Sequence, residues 1–82
     1  MMESYFVRAY HFSSFHRKDL EKDDKCGCFY CLKIFSPSEI TAWCDNGETA
    51  LCPYCEIDSV IGESSGFSIT ELLLRGMHKE WF

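Results

Sequence analysis

No stretch of this sequence approaches the ~18 consecutive apolar residues that a membrane-spanning helix needs. The opening Met1-Met2-Glu3-Ser4-Tyr5 has neither the basic start nor the apolar stretch of a secretory signal. The expected compartment is therefore the cytoplasm. Internal repeats of solenoid length and low-complexity tracts are absent too. Basic residues are few: 8 Lys and Arg face 13 Asp and Glu, for a net charge of −5. Proteins that grip phosphate backbones concentrate Lys and Arg, so a general nucleic-acid binder is not expected. Nor is there an H-E-x-x-H string, the usual mark of a zinc hydrolase helix. A membrane protein, an exported disulfide miniprotein and a multidomain enzyme all fit this chain poorly.

What is present is a short folded chain with an internal staple. Its 82 residues are 46% hydrophobic, 16% aromatic and 26% charged, a composition able to bury a core. Below about 70–80 residues a single core seldom supplies more than about 3–5 kcal/mol. Chains near that size add disulfides or a metal. Six cysteines offer either one. We expect one domain spanning 1–82: an N-terminal aromatic segment and helix (1–25), a metal-binding ribbon (26–62) and a C-terminal helix (68–82).

Tyr5, Phe6, Tyr10 and Phe12 crowd the first segment, which fits neither period cleanly, although Tyr5, Val7 and Ala9 alternate as a strand would. Ser13 and Ser14 are candidate caps for a polar surface helix from Phe15 to Lys25, with Phe15 and Leu20 as its apolar contacts. The one basic cluster, His11, His16, Arg17 and Lys18, is followed at once by Asp19, Glu21, Asp23 and Asp24, and reads as a solvated helix face, with a local partner-binding patch as the alternative. Ser36-Pro37-Ser38-Glu39 combines a capping serine, a first-turn proline and a glutamate at the third position, predicting a short helix with Ile40 and Trp43 on one face. Asp45-Asn46-Gly47 would end it. Thr49 to Leu51 and Ile57 to Ile61 read as strands, and Gly62 to Gly66 as a loop. A second capping box, Ser68-Ile69-Thr70-Glu71, opens the terminal helix, on which Ile69, Leu72, Leu73 and Met77 share a face. Leu74 and Trp81 widen that arc. Either the helix is embedded on two sides, or Leu74, Trp81 and Phe82 meet a protein partner or a second copy.

The informative residues are Cys28-Phe29-Tyr30-Cys31 and Cys52-Pro53-Tyr54-Cys55, two C-x2-C pairs with twenty residues between them. This is a zinc-site spacing. Zn²⁺ takes four ligands tetrahedrally, and a two-residue gap lets both sulfurs of a knuckle face one ion while the N–H groups between them point at the thiolates. Four thiolates close the coordination sphere, the mark of a structural site. We expect one structural Zn²⁺ per chain on Cys28, Cys31, Cys52 and Cys55, with iron the competitor because tetrahedral sulfur also holds Fe. Zinc on four thiolates would take the net charge to about −7.

The remaining candidates have plain readings. Cys26 could replace a neighbouring ligand or stay free, and Cys44 reads as a small buried hydrophobe. A redox pair or a disulfide framework is less economical than mutual metal ligation. His11 and His16 have an allowed spacing for a second metal but lack a carboxylate partner, and His78 reads as solvated or at an interface. Glu56 and Asp58 could form an acid/base pair, though nothing supplies a substrate pocket.

The strings Ser13-Ser14-Phe15-His16-Arg17, Cys26 to Cys31, Phe35 to Ile40, Thr49 to Cys55, Ile57 to Gly62 and the Met77-His78 to Trp81-Phe82 ending together resemble a group of short bacterial zinc-ribbon proteins. That group is described only as cytoplasmic proteins of unknown function. The resemblance covers about Tyr10 to Phe82. It implies an α+β, metal-stapled, rubredoxin-like zinc ribbon with two or three flanking helices, and Cys28, Cys31, Cys52 and Cys55 as ligands. It implies no activity. Two positions depart from its pattern: Glu56 stands where such knuckles place glycine, and Cys44 where an aliphatic residue is expected. A treble-clef nuclease also uses paired C-x2-C knuckles, but Ile57 to Ile61 carries none of its histidines.

The expected function is non-enzymatic: a small zinc protein presenting aromatic and acidic surface to a protein partner. The alternative is a nucleic-acid-binding ribbon using Arg8, Arg17 and Lys18, with Tyr10 and Phe12 as stacking groups. A metal-dependent enzyme or an iron electron carrier comes third.

Overall fold

The computed structural model describes residues 5–14 and 16–82. The expectation for Phe15 and the first four residues lies outside them. The chain is α+β. Helix α1 (Tyr5–Tyr10) and the single-turn α2 (Arg17–Leu20) precede strands β1 (Cys26–Cys28) and β2 (Ile34–Phe35). Strands β3 (Trp43–Cys44), β4 (Thr49–Ala50) and β5 (Val60–Gly62) follow, and helix α3 (Glu71–Trp81) ends the chain. One antiparallel sheet has the order β2-β1-β5, and β3 pairs with β4 in a separate hairpin.

The central sheet divides the interior into two cores, and strand alternation assigns each residue its side. In β1, Cys26 and Cys28 face one way and Gly27 the other; in β5, Val60 joins the cysteine side and Ile61 the helix side. On the cysteine side lie Leu20, Phe35, Ile40, Ala50 and Cys52. The helix side holds Ala9, Phe29, Ile69, Leu73, Leu74 and Met77. The missing side chain of Gly27 makes room for Leu74: a Cβ there would lie 2.8 Å from Leu74 Cδ1.

That arrangement decides the terminal helix. Its cap is Thr70, whose hydroxyl accepts the Leu73 N–H at 3.2 Å, so the helix starts two residues later than the Ser68 box implies. Leu73, Leu74 and Met77 are buried, while Leu72, predicted to share their face, is 79% exposed. The helix is embedded on two sides, against the sheet through Leu74 and against α1 through Gly76, where an added Cβ would collide with the Phe6 ring. Leu74 is fully buried within the chain and offers nothing to a partner.

Three local expectations give way to tertiary contacts. The segment from Tyr5 is helical, not extended, because α3 offers a glycine trough for Phe6. Ser13 closes α1 by donating to the Tyr10 carbonyl at 2.7 Å; it does not cap the next helix, which has His16 at its N-cap and runs only four residues. Ser36-Pro37-Ser38-Glu39 does form its capping box, with Ser36 N–H donating to Glu39 at 3.1 Å, but around a 3₁₀ turn of three residues. Ile40 then turns to extended backbone and enters the cysteine-side core. Trp43 pairs with Ala50 and Cys44 with Thr49. Asp45, Asn46 and Gly47 all take positive φ, as their types allow, but to close this hairpin. The 62–66 segment contains a 3₁₀ turn, Glu63–Ser65, whose Glu63 carboxylate accepts the Asp24 and Lys25 N–H groups at 3.1 and 2.9 Å.

His16 and Arg17 are not part of a solvated face, as the charge run implied, but hold the fold together. Arg17 N–H donates to the Glu48 carbonyl at 3.0 Å, its guanidinium reaches the Gly47 carbonyl at 3.0 Å and lies 4.6 Å above the Trp43 ring. His16 is buried. Its Nδ1 donates to the Phe12 carbonyl at 2.9 Å, and its Nε2 accepts the Ala50 N–H at 3.4 Å along the open edge of β4. Only a neutral ring can do both, since a second N–H would face the Ala50 donor. Burial lowers the His16 pKa against the opposing pull of the Phe12 carbonyl, Asp19 and Asp23. His11 and His16 line one cleft together with Asp19 and Asp23.

A lowered folded-state pKa leaves the contribution of His16 complete above the unfolded value near 6.5, and removes it as pH falls below that value toward the folded one. The melting temperature of the metal-loaded protein should fall more steeply from about pH 7.5 to about pH 5.5 than that of a His16→Gln variant, whose amide does not titrate there. Parallel slopes in a thermal-melt series would show that the ring does not sense pH. Metal loss at low pH affects both chains and cancels in the comparison.

Candidate metal centre

The two C-x2-C segments fold into matching knuckles. In the first, Cys28 N–H donates to the Lys33 carbonyl at 2.9 Å and Leu32 N–H to the Cys28 carbonyl at 2.8 Å. In the second, Cys52 N–H donates to the Ile57 carbonyl at 3.0 Å and Glu56 N–H to the Cys52 carbonyl at 2.9 Å. Leu32 and Glu56 fill the same place, with φ of 67° and 65°. Non-glycine residues are strained there by roughly 1–2 kcal/mol. The departure at Glu56 thus costs local strain but leaves the second knuckle closed like the first.

Joining the knuckles brings the four sulfurs together. One ligand atom from each of Cys28, Cys31, Cys52 and Cys55 lies within 4.8 Å of all the others. Cys28 Sγ is 3.5 Å from Cys55 Sγ, and Cys31 Sγ is 3.7 Å from Cys52 Sγ. A tetrahedron with metal–sulfur bonds near 2.3 Å has sulfur–sulfur edges of about 3.8 Å. The spacing fits one ion. Cys28 and Cys52 are buried, while Cys31 and Cys55 form a half-exposed edge.

The two buried sulfurs also receive backbone hydrogen-bond donors. Tyr30 and Cys31 N–H groups point at Cys28 Sγ at 3.3 and 3.4 Å, and Tyr54 N–H at Cys52 Sγ at 3.4 Å. The Lys33 and Ile57 N–H groups favour the ionised forms of Cys31 and Cys55. Neutral thiols are weak acceptors, so such aimed donors suit thiolates. Burial opposes ionisation of Cys28, but Ser59, the Cys31 and Tyr30 N–H groups and Cys55 outweigh it and hold its pKa below the usual thiol value. Burial pushes Cys31 and Cys55 up, with the neighbouring sulfurs adding to the rise. Four adjacent thiolates would require a cation among them, and the four cysteines are placed to hold a metal ion.

The other cysteines stand apart from this set. Cys26 is fully buried, 3.5 Å from the Phe35 carbonyl, and burial with Asp23 and Cys52 nearby pushes its thiol up to about 12. Cys44 is half-buried on β3, not in the core, with Asp45 beside it at 4.0 Å. His16 is committed to the fold, and Glu56 and Asp58 are exposed.

Two residues that no ligand spacing marks reach the first knuckle. Ser59 is buried with its hydroxyl 3.0 Å from Cys28 Sγ. His78, expected to be solvated or at an interface, reaches from α3 to place Nδ1 3.1 Å from the Phe29 carbonyl in the first knuckle. That carbonyl belongs to the peptide whose N–H, on Tyr30, points at Cys28. Spacing signals mark ligands, but a lone serine or histidine that reaches a knuckle through the fold leaves no periodic trace.

No protein-family model, curated protein or solved structure matches this chain. The clustered cysteines are compatible with a zinc-ribbon-like site without placing the chain in a family. Among the described residues, no helix is long and apolar enough to cross a membrane.

Proposed function

We propose that this chain is a single-domain, rubredoxin-like zinc ribbon in which Cys28, Cys31, Cys52 and Cys55 hold one structural Zn²⁺. The observation that carries the reading is the clustering of four cysteine sulfurs within 4.8 Å of one another, the two buried ones served by backbone N–H donors. Bound zinc would neutralise the thiolates and lock the two knuckles together, leaving no open coordination position. The role we infer is non-enzymatic, a cytoplasmic protein-interaction module. Thiol ligation suits a reducing compartment. A cleft of about 230 Å³ beside Trp43 falls below the ~300–1,000 Å³ of typical ligand pockets. Tyr10, Tyr30, Trp81 and Phe82 are each at least 40% exposed and form the aromatic surface we assign to a protein partner.

The nucleic-acid alternative has less support. Arg17 is held by Gly47 and Trp43, and Phe12 packs on Phe67. Native mass spectrometry of the purified protein, before and after chelation, tests the metal reading. One zinc per chain is the expected result. A coloured protein carrying iron would restore the electron-carrier reading, and a metal-free chain would remove both.

A further inference from the structure

We propose that Ser59 is a positioning residue of the metal centre, its hydroxyl donating to the Cys28 sulfur and holding that thiolate for the ion. The inference rests on the metal reading above and deepens it. Ser59 is 1% exposed, and its Oγ lies 3.0 Å from Cys28 Sγ. A buried hydroxyl requires a partner. Metal-bound Cys28 carries no proton, so the hydroxyl is the donor and the sulfur the acceptor.

The backbone makes the placement specific. The Ser59 carbonyl accepts the Phe29 N–H at 2.9 Å, and the next residue, Val60, is in register with Cys28. These contacts extend the β1–β5 ladder to the first knuckle and bring the Ser59 hydroxyl to the sulfur. Cys28 thereby gains a third donor beside the Tyr30 and Cys31 N–H groups. Packing alone does not require a hydroxyl here, since an apolar side chain would leave no polar atom to satisfy. A thiolate does use one.

The test is Co²⁺ titration of the full chain, with a competing chelator, for wild type, Ser59→Ala and Ser59→Thr. Loss of a hydrogen bond around metal ligands typically weakens affinity about 10–100-fold. Ser59→Ala should show that loss, with its sulfur-to-cobalt charge-transfer band moved to lower energy, because the sulfur lone pair is no longer stabilised. Ser59→Thr, which keeps the hydroxyl, should restore both. The proposal is overturned when Ser59→Ala binds within about twofold of wild type with its band unmoved. It is equally overturned when threonine fares no better than alanine, which would leave the position a packing role. A wild-type chain that binds neither Co²⁺ nor Zn²⁺ would instead remove the metal reading itself.

Discussion

Chelating the metal, or replacing Cys52 with serine, is expected to abolish the cooperative fold. The strands are only two or three residues long, and isolated ladders of that length do not persist in water. Each core depends on the knuckles: Cys28 and Cys52 are themselves members of the cysteine-side core, and Phe29 carries the first knuckle into the helix-side core. Apparent binding energies of about 10–16 kcal/mol for structural zinc in small peptides exceed the roughly 3–5 kcal/mol a core of this size supplies alone. Without an ion, the four clustered sulfurs would have to stay protonated or repel one another. Near-UV circular dichroism and amide-proton dispersion should collapse on chelation and return with added Zn²⁺. A Cys44→Ser variant, altered outside the metal set, should keep both. A chelated chain that still melts cooperatively would show that the cores suffice.

Phe29→Ala should be nearly as damaging, although Phe29 touches no metal. It heads the fully buried side chains and sits between Cys28 and Cys31, with ring centroids 6.0 Å from Tyr10 and 6.0 Å from Phe82. Truncating a buried phenylalanine costs about 3–5 kcal/mol, through lost apolar burial and the cavity left behind. At roughly 4–8 °C per kcal/mol for a domain of this length, the melting temperature should drop by on the order of 15 °C or more. If the metal binds only the folded chain, apparent affinity in a chelator competition should also fall, about tenfold for each 1.4 kcal/mol. Phe29→Leu, which retains most of the volume, should lose less. A drop below about 5 °C for the alanine variant would mean that the two cores are not coupled through this ring.

The four ligand candidates were legible because C-x2-C spacing is a local property: two sulfurs three residues apart already sit on one knuckle before any long-range contact forms. The Ser36 capping box, the left-handed preference of Asn46 and Gly47, and the burial of Leu73 and Met77 were legible for the same reason. Ser59 and His78 were not. Each acts on a knuckle 31 and 49 residues away in the chain, and neither has a partner at any regular spacing.

The sequence by itself determined the candidate metal donors, the turn positions and the burial of Ile69, Leu73 and Met77 in and just before the last helix, since these follow from residue type and short-range spacing. The tertiary structure decided which face of each short element is buried. Phe6 is helical because Gly76 leaves room for its ring, and the chain after Ile40 is extended because Trp43 finds Ala50. Leu72 is exposed while Leu74 is buried because Gly27 lies under one and not the other. In a chain this small, elements of two to six residues have too little intrinsic preference to fix their own conformation. The partner each one meets across the sheet supplies the remainder.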